Sequence, residues 1–226
     1  MNKKLKKFNK HINHHIKIYN DTFNDSTYIH EAGHFLMFLK TWMNMRYDIN
    51  TKHNLQQKDY YKKLLFYPSY FSNEIENFLG SMYVYTNHFG NKLIKGRFKY
   101  SRGRSKEFSD ITQECIPIIL GGIIAELIFY TDIKDKDAVN TYFEKNKIYW
   151  KSDINNFLKE SKSESDIIDT VIFNCITITE YDKRFIKKVS NILKNKKVSN
   201  NIKILNNIEL TKLGKIYIRD KMSYYK

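Results

Sequence analysis

Hydrophobic residues recur at the three- and four-residue spacing of amphipathic helices along much of this chain. One such segment begins at Asp25 or Ser26, either of which can cap the free N–H groups of a helix, and it continues to about Met45. A second and more apolar segment opens at Asp110 and ends near Tyr130. Both segments predict long helices.

The rest of the pattern is more varied. The stretch 165–226 again alternates apolar and basic residues as amphipathic helices do, with a break at "NKKVSNN", residues 195–201. Residues 82–105 alternate β-formers with glycines, which predicts a short β-hairpin or an edge strand. Residues 131–149 are interpreted as a charged loop. The whole predicts a mainly α fold with a small β element, and only two prolines and eight glycines interrupt it.

Composition supports a globular protein. Hydrophobic residues make up 42% and aromatic residues 15%, which excludes wholesale disorder. A length of 226 residues suits one domain with a sizeable core. We therefore divide the chain into a basic N-terminal lead-in, residues 1–20, and a single helical domain with basic C-terminal helices, residues 21–226.

The formal net charge of +15 would attract nucleic acid, anionic lipid or acidic proteins. However, the lysines are spread widely and form no RNA-binding or zinc-finger motif. The segment "KGRFKYSRGRSK", residues 95–106, combines basic and aromatic residues that could grip nucleic acid or an acidic peptide. We favour a solvated basic surface with a charged hairpin rim, and do not expect nucleic acid as the partner.

Several features favour the cytoplasm. Cys115 and Cys175 lie in apolar segments, so we expect two buried, reduced thiols and no disulfide. The basic N-terminus lacks the apolar stretch of a secretory signal. The most hydrophobic run, residues 116–130, is shorter than the ~20 residues that a bilayer requires and contains Glu126. We expect no membrane anchor.

The segment His30-Glu31-Ala32-Gly33-His34 carries the clearest chemistry. Positions four apart share one face of a helix, so both imidazoles can reach one zinc ion. Glu31 is placed to take a proton from a water molecule that zinc has acidified. Gly33 leaves room for another element to pack closely. The competing interpretation is an ordinary helix with solvated or core histidines, as we assume for His11, His14 and His15.

A catalytic zinc needs a third protein ligand and an open position for water. The sequence offers Glu126 in the apolar helix, Asp153 at a helix start and His88 in the hairpin segment. A carboxylate among apolar residues needs a partner, so Glu126 could bind the metal or hydrogen-bond a ligand histidine from behind. Asp153 could equally be a first-turn acid stabilised by the helix dipole.

The order "HEAGH", "LGGIIAELIFY" and "KSDINNF", between about residues 26 and 158, resembles the peptidase domain of FtsH-type zinc metalloproteases. The resemblance implies a helical, zincin-like domain that binds Zn²⁺ through His30, His34 and Asp153. It also implies that Glu31 is the general base and that Glu126 supports a ligand from outside the coordination sphere.

The sequence departs from the family pattern at several points. Ile123 replaces the family's arginine, Leu127 replaces its second glutamate, and insertions near 44–75 and 131–150 lengthen the intervals. The chain contains no G-x-x-x-x-G-K-[ST] loop and no preceding transmembrane helix.

We therefore expect a detached zinc metalloendopeptidase without its own ATPase. Its partners would be peptides or unfolded proteins, with a separate unfoldase or self-association as further options. One alternative is a non-catalytic module that keeps the fold, with a metal site closed by a fourth ligand such as His88. Another is a basic nucleic-acid-binding protein in which the histidine motif is incidental.

Overall fold

The structure is a computed structural model, and it describes residues 26–44, 75, 79–86, 93–100, 116–160 and 165–223. The predicted lead-in of residues 1–20 lies outside these ranges. The described residues are mainly helical and include one small antiparallel sheet, which confirms the predicted fold class.

The helices are α1 (residues 26–44), α2 (Ile116–Ile119), α3 (Gly121–Tyr130), α4 (Lys136–Asn146), α5 (Lys151–Glu160), α6 (Ser165–Ile176), α7 (Glu180–Lys194) and α8 (Asn207–Ser223). The strands are β1 (Leu79–Thr86), β2 (Leu93–Tyr100) and β3 (Ile202–Leu205), in the order β2-β1-β3. Within the described ranges, no helix combines the length and the apolar content needed to cross a membrane.

Helix α1 carries the histidine motif and lies at the centre of the core. Its apolar residues are buried on all sides of the helix, from Ile29 to Met43, and Trp42 is one of the largest fully buried side chains. The side chains of Glu31 and His34 are buried as well. The motif therefore lies on a core helix, where side-chain positions are set by packing.

Helices α1 and α3 are in backbone contact through glycines. A Cβ atom at Gly33 would lie 2.2 Å from the carbonyl oxygen of Gly121 and 2.5 Å from the Cβ of Ala125. This confirms the prediction that Gly33 allows close packing. The apolar helix ends at Tyr130 as predicted but is interrupted at Leu120, between α2 and α3. Its predicted start at Asp110 lies outside the described residues.

The prediction of a charged loop at 131–149 is wrong. Helix α4 occupies much of this segment, and the Asp135 side chain caps it by accepting hydrogen bonds from the N–H groups of Asp137 and Ala138. Val139 and Phe143, one turn apart, are buried. Two apolar anchors and a cap are enough for a helix, and the many charges of this segment obscured that pattern.

Strand β2 packs along α1. Phe98 contacts the rings of Phe35 and Phe38, at centroid distances of 5.8 Å in both cases. Tyr100 lies 5.6 Å from Phe38, and two residues before Phe98 the strand places Gly96 against Glu31. One face of β2 thus covers α1, and the alternate residues, Arg97 and Lys99, are exposed.

The predicted break at 195–201 is confirmed as a turn, in which Asn200 and Asn201 both have positive φ angles, 50° and 61°. The chain then forms β3, which pairs antiparallel with β1. The pattern of apolar and basic residues in this region predicts helices only, and that prediction is wrong at β3. A four-residue strand has too little periodicity of its own to be recognised.

A buried carboxylate connects the C-terminal helices to α1. Asp182 of α7 is 0% exposed and completes a capping box with Thr179. It accepts a hydrogen bond of 2.8 Å from the Tyr217 hydroxyl and lies 3.5 Å from the amine of Lys40 and 3.4 Å from that of Lys221. Three helices are therefore joined around a single charge.

Candidate metal centre

Three side chains from two helices converge on one point. His30 and His34 project from α1, and their Nε2 atoms are 3.1 Å apart. Asp153, in the first turn of α5, brings Oδ2 to 2.9 Å from His30 Nε2 and 3.4 Å from His34 Nε2. The structure thus brings together the three residues that the resemblance implies as ligands.

Hydrogen bonds on the far side of each imidazole determine its tautomer. His34 Nδ1 lies 2.7 Å from the carbonyl oxygen of Ile118, which can only accept, so Nδ1 must carry the proton. His30 Nδ1 lies 2.7 Å from Oε1 of Glu126, which accepts in the same way when ionised. Neutral rings held in this manner direct both Nε2 lone pairs towards the point where they meet Asp153.

The distances fit a zinc ion. Ligands about 2.05 Å from a tetrahedral zinc would be about 3.3 Å apart, and the three observed separations lie between 2.9 and 3.4 Å. Two imidazole nitrogens and one carboxylate oxygen are also donors that zinc accepts. A set of three leaves a fourth position for water.

The electrostatics of the cluster favour positive charge. Burial by itself would lower the pKa of His30, but hydrogen bonds to Asp153 and Glu126 outweigh it and raise that pKa well above the usual value. Burial would raise the pKa of Asp153, yet the two imidazoles lower it far below its usual range. Without a cation, a proton must be shared among the Nε2 atoms of the two histidines and Oδ2 of Asp153. A divalent ion would replace that proton.

Glu31 lies buried beside the cluster. Its side chain is buried, and Oε2 has no hydrogen-bond partner among the described residues. Burial raises the pKa of Glu31 to about 7. One donor atom of Glu31 and one ring nitrogen each of His30 and His34 all lie within 4.8 Å of one another. A buried carboxylate with an unused oxygen and a pKa near neutrality has the properties of a general base.

Glu126 lies behind the cluster rather than in it. It contacts Nδ1 of His30, on the side of the ring away from Nε2, so it cannot share an ion held by Nε2. Its position is the one that outer partners of metal-binding histidines occupy. Gly122 makes room for that ring, because a Cβ there would lie 2.3 Å from it.

Sequence reasoning missed Trp150. The indole Nε1–H donates to Oε1 of Glu126 at 2.9 Å, so one carboxylate oxygen accepts from both Trp150 and His30. Trp150 is buried immediately before α5, three residues from Asp153. The only local signal was a large aromatic residue close to the Ser-Asp segment.

Other sequence candidates lie outside the described residues. His88, considered as a closing fourth ligand, is one of them, as are Cys115 and the histidines at positions 11, 14 and 15. Whether a fourth side chain closes the site therefore stays a prediction.

We infer that the edge of β2 that no described strand pairs with lies on the side of the centre. Side chains turn by about 100° per residue around α1. Tyr28, whose ring lies 5.5 Å from the amine of Lys203 in β3, serves as the reference position on α1. The α1 residues that contact β2 are Glu31, Phe35 and Phe38, and they lie about 20–80° from Tyr28 around the helix axis. His34 and His30 follow at about 120° and 160° in the same direction. Among the described strands β2 pairs only with β1, so its other edge points towards the histidines.

Comparison with known proteins gave no match: no family model, no curated protein and no solved structure is significantly similar to this chain.

Proposed function

We propose that this protein is a zinc-dependent peptidase that hydrolyses peptide bonds at the centre formed by His30, His34 and Asp153. The observation that carries the proposal is the meeting of those three donors within 2.9–3.4 Å, beside the buried and unpartnered Oε2 of Glu31. If the two histidines were a chance pair on a helix, there would be no reason for an aspartate 123 residues away in the sequence to lie against both rings.

Each residue has a distinct role in this proposal. His30, His34 and Asp153 hold the zinc, which when bound acts as a Lewis acid and lowers the pKa of water. Glu31 accepts a proton from the attacking water and returns it to the departing amine. Glu126 and Trp150 hold His30 in the tautomer that leaves Nε2 free.

The substrate is proposed to be an extended polypeptide. The edge of β2 that no described strand pairs with offers backbone hydrogen bonds to an incoming strand, a mode of peptide recognition known as β-augmentation. We propose peptides or unfolded segments as substrates, with a separate unfoldase or self-association as further partners.

We propose a detached FtsH-type protease domain, which is supported by the order of the three motifs along the chain. We also propose a cytoplasmic location. A buried Cys175, whose thiol pKa burial raises to about 12, supports a protein that keeps its cysteines reduced.

The test compares Glu31→Gln with Glu144→Gln, the same exchange at an exposed position of α4. Zinc content is measured by mass spectrometry and cleavage with casein and a peptide library. We expect both variants to bind one zinc and only Glu31→Gln to lose cleavage, by about 100-fold or more. Undiminished cleavage in Glu31→Gln would refute the proposal, and zinc binding without cleavage in the unmodified protein would indicate a binding module.

A further inference from the structure

The outer face of β2 carries two positive charges, for which the described residues supply no carboxylate partner. Arg97 and Lys99 are exposed and two residues apart, so they project from the same face of the strand. Neither has a carboxylate partner among the described residues. The three strands contain no aspartate or glutamate at all, since they read LGSMYVYT, LIKGRFKY and IKIL.

The neighbouring residues of β1 do not offset this charge. Tyr83 is the register partner of Arg97, and its ring lies 5.3 Å from the amine of Lys99. Two like charges about 7 Å apart on one face repel each other, and an acidic group placed between or beside them would relieve that repulsion.

The same two residues flank the edge that faces the candidate metal centre. A peptide added to that edge would lie about 4.8 Å from β2, and every second side chain would be directed to the face of Arg97 and Lys99. Side chains directly opposite in paired strands approach to about 5 Å, within reach of an ion pair.

We propose that Arg97 and Lys99 select extended peptides that carry acidic residues at alternate positions. The inference rests on the proposed function, because it names the substrate class of that site. The carboxylates of the peptide pair with the guanidinium and the ammonium groups while its backbone pairs with β2. The scissile bond is thereby delivered to the centre next to Glu31.

The structure favours a peptide over single-stranded nucleic acid as the occupant. Nucleic acid binds such surfaces by stacking its bases on open aromatic rings between basic residues. Tyr83 is only 7% exposed, and the amine of Lys99 lies 5.3 Å from its ring. The half-exposed Tyr85, two residues further along β1, packs edge-on against Tyr83 with ring centroids 5.2 Å apart, so its ring is only partly open to a base. A strand edge that is unpaired among the described strands, in contrast, matches the backbone of a peptide and not that of a nucleic acid.

The experiment uses three quenched fluorescent decapeptides that differ only in whether alternate positions are Glu, Gln or Lys. The full chain loaded with zinc is compared with the double variant Arg97→Glu/Lys99→Glu. Lys188→Glu/Lys212→Glu, on exposed positions of α7 and α8, changes the net charge equally and is the matched control. Binding is measured separately by fluorescence anisotropy in Glu31→Gln, so that recognition is observed without cleavage.

We expect the unmodified protein and the control to prefer the Glu peptide over the Lys peptide by about 10-fold or more in kcat/KM and in affinity. The preference should shrink with added salt and be reversed in Arg97→Glu/Lys99→Glu. Glu-peptide binding through these residues without cleavage would support this inference and overturn the proposed peptidase.

Two results would overturn the inference itself. Cleavage with no preference among the peptides, or with a preference that survives the reversal of charge, would leave the peptidase standing without this selectivity. If an unlabelled thymidine oligonucleotide binds through Arg97 and Lys99 while no peptide does, the surface is a nucleic-acid site.

Discussion

Gly96 of β2 and Glu31 of α1 are packed so closely that a Cβ atom at position 96 would lie 2.3 Å from Oε1 of the Glu31 carboxylate. The strand thus determines where the proposed general base can lie. Any side chain at position 96 must displace either the strand or the carboxylate.

Gly96→Ala should therefore impair catalysis without removing the metal. A displacement of the base by about 1 Å can reduce the rate about 100-fold. We expect a lower kcat with unchanged zinc content, measured by peptide cleavage and mass spectrometry. Gly80→Ala is the matched control, since its Cβ would instead meet the Lys99 carbonyl oxygen at 2.8 Å. If both variants lose activity equally, the effect is general to the sheet and not specific to Glu31.

Asp153→Asn should abolish tight zinc binding. The exchange removes the only carboxylate that touches both imidazoles among the described residues, so the loss should exceed the ~100-fold that outer partners of a ligand can cost. Isothermal titration with zinc measures it.

Asp166→Asn is the control for the simpler explanation that Asp153 is a first-turn acid. Asp166 is exposed in the first turn of α6, where its charge also favours the helix dipole. Unchanged zinc affinity in Asp153→Asn, or an equal loss in both variants, would exclude Asp153 as a ligand.

Trp150→Phe should weaken zinc binding while the fold is retained. Phenylalanine fills most of the indole volume but cannot donate to Glu126, whose carboxylate then orients His30 less firmly. We expect about a 10-fold loss of zinc affinity in a competition titration.

Trp42→Phe provides the comparison, because it changes a buried indole on the same helix as His34, about 12 Å further along. It should lower the thermal midpoint and leave zinc affinity unchanged. An equal effect of both variants on zinc affinity would mean that Trp150 only fills space.

Asp182→Asn should remove stability that depends on pH. Burial by itself would raise the pKa of Asp182, but Lys40, Lys221 and its hydrogen bonds lower it below the usual value. A lowered folded pKa stabilises the protein above the unfolded pKa of about 3.9, and this contribution is lost as the pH falls through the folded pKa. We expect a loss of about 3 kcal/mol in the free energy of unfolding at pH 7, and a smaller difference at pH 3.

Urea denaturation at a series of pH values measures this difference. Asp169→Asn is the control, because Asp169 forms a long, exposed ion pair with Lys136 and should contribute little at any pH. A constant difference between Asp182→Asn and the unmodified protein from pH 3 to 7 would contradict a role for its charge.

The candidate site was predictable where it depended on local spacing. A separation of four residues places His30 and His34 on one side of any α-helix, whatever surrounds it. The position of Asp153 in a first helical turn and the close packing at Gly33 could also be inferred locally. The role of each side chain at the metal stays a prediction for the experiments above.

The sequence by itself determined the mainly helical fold, the helix that bears the motif and the break at residues 195–201, because periodicity and turn residues act over a few positions. Only the tertiary structure decided that Asp153 meets the histidines, that Trp150 supports Glu126 and that Gly96 confines Glu31. Those contacts depend on how α1 packs against α3, α5 and β2, and such packing is set by many distant side chains. The strand β3 has the same explanation, since pairing with β1 stabilises what its own short pattern leaves open.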